Sequence, residues 1–255
     1  MSKESTTGYL SAVLKYPFQD EKWLGKLAVG SVLMLVSMIP ILGILTWVLL
    51  MGYLAEIIRR VAVSGEDPSL PDWDDLSKYF RDGFKLFSVG FVYSLPSLVL
   101  LIGGYLAMFI PVFSMEMSGE PSTEGVGLIL GGYFAGFALM GIGMLVSMAT
   151  GVIMPAAGCH VVAEDSFGAG FRIGEWWRIL KANWSGFLVS FVVLVGGGML
   201  LYYLSYFLVI TVILCCVYPI VLAVEGVYLA LIAAALFSQA YRDGVQTLEE
   251  KVTSS

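Results

Sequence analysis

Residues 27–55 read LAVGSVLMLVSMIPILGILTWVLLMGYLA, twenty-nine consecutive positions without a charge. As one helix they would extend about 44 Å at 1.5 Å per residue. A bilayer core about 30 Å thick needs about 20 apolar residues. The stretch is therefore long for one span and short for two. Its middle, Ile39-Pro40-Ile41-Leu42-Gly43, is a Pro/Gly break suited to a tight turn. Extending outward to Trp23 and to Arg59 and Arg60, whose long side chains can snorkel, makes room for two spans.

Working outward, the other uncharged runs are 86–115, 125–163, 182–224 and 226–241. The first two each fit one span, and the tail after Pro155 leaves the bilayer or bends. From 182 to 241 a single charge, Glu225, interrupts an apolar stretch too long for one span. It fits two, joined by a short turn near 209–217. The distribution of Lys and Arg decides the count. With six spans and both termini inside, all 14 basic residues lie in inner segments, and the middle outer turn carries only Glu116, Glu120 and Glu124. If 27–55 crossed once, the five basic residues of 56–85 would face the side opposite the first four, and the bias would collapse. The expected fold is an all-α membrane protein. It has six spans in three hairpins (about 9–63, 72–163 and 174–241), and residues 242–255 form a tail. Both termini would lie on the cytoplasmic side of the inner membrane, with the bilayer as the first partner and other membrane proteins as further candidates.

Composition agrees. The chain of 255 residues is 58% hydrophobic and 13% charged, with a mean hydropathy of +0.85. Soluble domains carry about 25% charge. That excludes a soluble enzyme, a disordered tail and a collagen-like fibre. The net charge of −6 includes no basic stripe, which excludes a nucleic-acid partner. Cys159, Cys215 and Cys216 form no CxxC and no even framework, so neither disulfides nor a zinc cage is expected. Met1–Lys26 carries seven charges and no apolar core, so no cleavable signal peptide is expected.

A weak repeat appears at an offset of 103. Trp73 pairs with Trp176, Lys78 with Lys181, Gly83 with Gly186 and Phe84 with Phe187. Each copy is an amphipathic segment running into a span. Trp73, Leu76, Phe80, Phe84 and Phe87 make one helical stripe, and Trp176, Leu180, Trp184 and Phe187 the other. Asp72 follows Pro71 as the candidate N-cap of the first copy. Tyr9, Val13, Leu14, Phe18 and Trp23 have a similar character. Such helices either lie in the headgroup layer, with Trp23, Trp73, Trp176 and Trp184 as interface anchors, or pack on the bundle.

Several stretches together resemble a known membrane family. They are Tyr16-Pro17-Phe18 with Asp20 and Trp23; Pro40-Ile41-x-Gly43; Gly52-Tyr53 before Arg59-Arg60; and Leu70-Pro71-x-Trp73-Asp74-Asp75. Gly83, Tyr93-x-x-Pro96, Pro155, Glu164 and Phe167-Gly168-Ala169-x-Phe171 complete the set. The chain is similar along most of its length to the archaeal and bacterial family called domain of unknown function 4013. The resemblance implies a polytopic membrane protein and supplies no active site.

No catalytic signature is present: no HExxH, GxSxG, Walker loop or GxGxxG after a strand. No cofactor, metal ligand set or catalytic residue is expected. The single histidine, His160, reads as a satisfied interfacial residue. Asp67, Asp72, Asp74 and Asp75 fit helix capping better than a Mg²⁺ site. Glu56 and Arg60 are spaced for a helix-surface ion pair. Glu225 is the candidate intramembrane site, for proton or cation coupling or for an interhelical hydrogen bond. Seventeen residues before Arg242, it lies about 25 Å along a helix from that charge, near the outer boundary. Gly127-x-x-x-Gly131 and Gly132-x-x-x-Gly136 suit close helix packing. Pro96 and Gly196-Gly197-Gly198 are expected to interrupt two spans at matching depth, a weak pointer to a transport site.

The reading favoured by the sequence is a non-enzymatic accessory, scaffold or membrane-organising component. The alternatives are a small-molecule or lipid transporter with Glu225 on its cavity wall, and more distantly a lipid-headgroup enzyme using Asp72, Asp74 and Asp75.

Overall fold

The computed structural model describes residues 3–118, 123–210 and 216–254. Glu120, Cys215 and most of the turn expected near 209–217 lie outside them. Within the described residues the chain is helical, without strands. The long helices are α1 (Lys3–Lys15), α2 (Trp23–Val36), α3 (Pro40–Ile58), α4 (Leu76–Ser118), α5 (Thr123–Ala163), α6 (Ile173–Ala182), α7 (Trp184–Ile210) and α8 (Tyr218–Thr253). Five are long and apolar enough to cross a bilayer: α3, α4, α5, α7 and α8. α2 has 14 residues, about 21 Å, short of the core thickness.

The break inside the opening stretch falls where the sequence places it. α2 ends at Val36 and α3 begins on Pro40. Ile39 before the proline is extended at φ −88°, ψ 116°, as the proline ring requires. Pro40 stands at the first helical turn, where its missing N–H costs nothing. Gly43 is pressed against the Ser37 carbonyl, so a Cβ there would collide with backbone.

The chain divides into two compact units, residues 1–89 with 155–255, and residues 90–154. In the larger unit α8 is central and touches α1, α2, α3, α6 and α7. Its buried stripe is Ala223, Val227, Leu231, Ala234, Ala235, Ser238 and Tyr241, three or four apart. Around it pack Val13, Tyr16, Tyr53 and Ile57. Small residues bring backbones together. A Cβ on Gly52 would strike the Tyr79 carbonyl, and one on Gly83 the Val48 carbonyl, so α3 and α4 cross in direct backbone contact.

The smaller unit holds parts of α4 and α5. Gly104, Gly132 and Gly136 sit at their crossing, whereas Gly127 and Gly131 face open space. Of the two expected glycine pairs, only Gly132/Gly136 packs here. Phe134 is 78% exposed, as suits a side chain solvated by lipid rather than by protein.

Two expectations need correction. Pro96 and Pro111 lie inside an unbroken α4, and α7 runs through Gly196–Gly198, so neither is an interruption. The two amphipathic segments also differ. α6 is a separate helix, broken from α7 at Asn183, whose Oδ1 accepts the Gly186 N–H at 3.2 Å and caps α7. At the offset of 103, Phe80 stands opposite Asn183 and offers no capping oxygen. Residues 76–85 are therefore the first turns of α4 itself. The paired residues diverge too, since Phe187 is fully buried and Phe84 is 56% exposed.

Candidate functional site

The polar chemistry of the larger unit gathers where α3 ends, α4 begins and α5 ends. The last turn of α3 widens at Arg59–Val63 into a π-helical turn, a local insertion common at functional positions. Arg59 donates from Nη1 to Glu56 Oε2 and from Nη2 to Asp82 Oδ2, both at 2.7 Å. Lys78 Nζ also donates to Glu56 Oε2, at 2.8 Å. Lys85 Nζ donates to Asp165 Oδ1 at 2.7 Å, and that carboxylate stands 4.0 Å from Arg59. Asp82 is almost fully enclosed, with a side chain 5% exposed. A charge so placed is tolerated only with close counter-charges. Asp165 adopts φ +47°, a left-handed conformation that Asp accepts more readily than most residues. The Lys85 hydrogen bond holds its carboxyl below the usual range. The expected Glu56–Arg60 pair exists at 3.6 Å, as one arm of this network.

A second cluster joins α5, α6 and α8. His160 is buried, with Nδ1 2.7 Å from Tyr241 Oη and Nε2 3.0 Å from Glu175 Oε2. With a neutral ring, Tyr241 donates to Nδ1, and Nε2–H donates to the carboxylate. That bond, aided by Arg172 at 3.5 Å, keeps the Glu175 carboxyl below its ordinary value. Among the described residues, no three His, Cys, Asp or Glu side chains are grouped to hold a metal ion.

A cavity of about 700 Å³ opens between α1, the first turns of α7 and the second half of α8. Its size falls within the usual range of ligand pockets. Tyr9, Asn183, Ser190, Gln239, Asp243 and Glu250 supply polar groups to its wall.

Glu225 is not on that wall. It accepts a hydrogen bond from Ser205 Oγ, joining α8 to α7. The acidic string also has structural partners. Asp72 pairs with Lys26 at 3.0 Å. Asp75 is the N-cap of α4, taking the Lys78 N–H at 3.0 Å, in place of the expected Asp72. The tryptophans take different positions. Trp73 stacks on Tyr53 with centroids 4.1 Å apart and donates to the Lys26 carbonyl. Trp23 packs edge-on against Phe18. Trp176 is enclosed by protein and donates to the Gly170 carbonyl, so its ring is not offered to lipid. Trp184 is 46% exposed.

Asp82, Asp165, Glu175 and Tyr241 escape sequence reasoning. Their partners are far along the chain, and no local spacing marks them.

A protein-family model described as "Protein of unknown function (DUF4013)" matches residues 33–210. No curated protein and no solved structure matches the chain.

Proposed function

We infer the role of this chain, which belongs to the DUF4013 family, from how its polar groups are used. It is a six-span integral membrane protein of the cytoplasmic membrane with both termini inside, acting as a non-enzymatic accessory or membrane-organising component. The six-span layout rests on the Lys/Arg distribution and on the α2–α3 pair turned at residues 37–39. In it α2 crosses together with the short segments that flank it.

One observation carries the functional reading. A set of polar side chains at the inner end is engaged with one another: Arg59 with Glu56 and Asp82, Lys85 with Asp165, and His160 on both ring nitrogens. Groups tied up in this way fasten helix ends together, which supports a structural use of these side chains. The Lys26 and capping contacts of Asp72 and Asp75 weigh against a headgroup enzyme in the same manner.

The transporter reading draws support from Glu225, a carboxylate hydrogen-bonded between two apolar helices. The cavity described above lies more than two helical turns further along α8, which weighs against it.

A gentle pull-down of the full-length protein from native membranes, analysed for proteins and lipids, tests the reading. A stoichiometric membrane-protein partner is expected. Substrate uptake into proteoliposomes that is lost in Glu225→Gln would overturn it in favour of transport.

A further inference from the structure

The cavity between α1, α7 and α8 has a charge pattern with a chemical meaning. Gln239, Asp243, Thr247 and Glu250 recur every three or four residues, so one face of α8 forms a polar wall two to three turns long. Neither Asp243 nor Glu250 has an ion-pair partner among the described residues. Asp243 Oδ1 takes one neutral hydrogen bond, from Gln239 Nε2 at 2.7 Å. Among the described residues the wall holds no Lys or Arg. The adjacent cation, Arg242, sends Nη1 to the Val61 carbonyl at 3.4 Å, off the wall. Opposite, α1 contributes Tyr9, whose hydroxyl is buried without a hydrogen-bond partner among the described residues. A phenol oxygen and a carboxylate lining one cavity can both accept from the N–H groups of an ammonium ion. Val189 and Leu236 add an apolar part to the lining. An anionic ligand would meet two carboxylates.

We propose that this cavity binds an organic ammonium group, with Asp243 as its counter-ion and Tyr9 completing the cage. The group comes either from a phosphatidylethanolamine headgroup or from a soluble amine. The proposal does not depend on the accessory role, which stands or falls on a protein partner.

The test uses full-length protein in mild detergent, with two probes. One is competition between phosphatidylethanolamine and phosphatidylglycerol followed by native mass spectrometry. The other is equilibrium binding of radiolabelled spermidine. Asp243→Asn preserves shape and removes the charge. It should weaken the bound probe by about tenfold, the loss expected for one charge-assisted contact. Tyr9→Phe should weaken it about threefold, as for a neutral hydrogen bond. Preference for the ethanolamine lipid that vanishes in Asp243→Asn supports the site and names the lipid source. Saturable spermidine binding with the same loss supports it and names the soluble source. Retention of neither probe overturns the proposal. So does preference for the anionic lipid, or unchanged binding in a folded Asp243→Asn. If Asp243→Asn does not fold, Tyr9→Phe replaces it, and unaltered binding there overturns the proposal equally.

Discussion

The Nη2 of Arg59 lies 2.7 Å from Oδ2 of Asp82, a contact that ties the wide turn ending α3 to the first turns of α4. The Asp82 carboxylate is nearly sealed from solvent, and its other oxygen is buried without a hydrogen bond. Asp82→Ala would leave Arg59 with Glu56 as its close partner. Removing one member of a buried pair costs about 3 kcal/mol or more. The melting temperature of the purified protein should fall by several degrees. Arg59→Met combined with Asp82→Leu should recover much of that loss, because no orphaned charge remains.

The α3–α4 crossing should tolerate no side chain. Gly52→Ala and Gly83→Ala each place a methyl against a carbonyl oxygen, an obstacle that cannot rotate aside. Overpacking costs about 1–3 kcal/mol, and backbone contact places these two at the upper end. Gly131→Ala faces open space and should be neutral. Gly186→Ala meets only the Asn183 side chain, and should cost about 1 kcal/mol through the lost cap. Melting curves of the four variants separate these cases.

Acid should loosen the charged end. Hydrogen bonds from Lys26, Lys85 and His160 lower the carboxyl pKa values of Asp20, Asp165 and Glu175. Carboxylates with depressed folded values contribute stability that is fully present above about pH 4, their unfolded range. That contribution is lost as pH falls through the folded values. The melting temperature should hold from pH 7 to about 5 and drop below about 4. Asp165→Asn, which also accepts the left-handed backbone, should shrink the drop.

Tryptophan fluorescence should distinguish lipid contact from protein contact. Trp184 is half exposed and Trp176 is enclosed. In vesicles containing brominated lipid, Trp184→Phe should remove a quenched component. Trp176→Phe should remove an unquenched one and destabilise the protein by about 1–2 kcal/mol, through the lost hydrogen bond to Gly170 and a partly filled cavity. Equal quenching losses would contradict this placement.

The helical breaks were legible where the covalent chain dictates them. Pro40 after a residue forced extended, with Gly43 three positions on, locates the α2–α3 turn from sequence alone. The apolar runs likewise announce the long helices. Pro96 misleads because a proline within a long apolar helix removes one hydrogen bond without ending the helix. The amphipathic segments mislead because a matching stripe says nothing of continuity. Asn183 breaks one copy and Phe80 leaves the other whole. The charged network was legible only in its local arm, Glu56–Arg60. Asp82 meets Arg59 across 23 residues, and Lys85 meets Asp165 across 80. His160 was correctly read as satisfied, but Tyr241 lies 81 residues away.

The π-helical turn at Arg59–Val63 makes spacing itself a constraint. It closes with Ser64 N–H on the Arg59 carbonyl, five residues apart, one more than ordinary winding. Deleting Ala62 would let the turn rewind as an α-helix and swing the exit by about 100°. Gly65 and the loop beyond it would leave in a new direction. The Leu70 carbonyl that receives Lys26 at 2.9 Å would move with that loop. Chain length at this corner is therefore guarded more strictly than side-chain identity. A one-residue deletion is the harsher lesion, and scanning by substitution alone would never expose it.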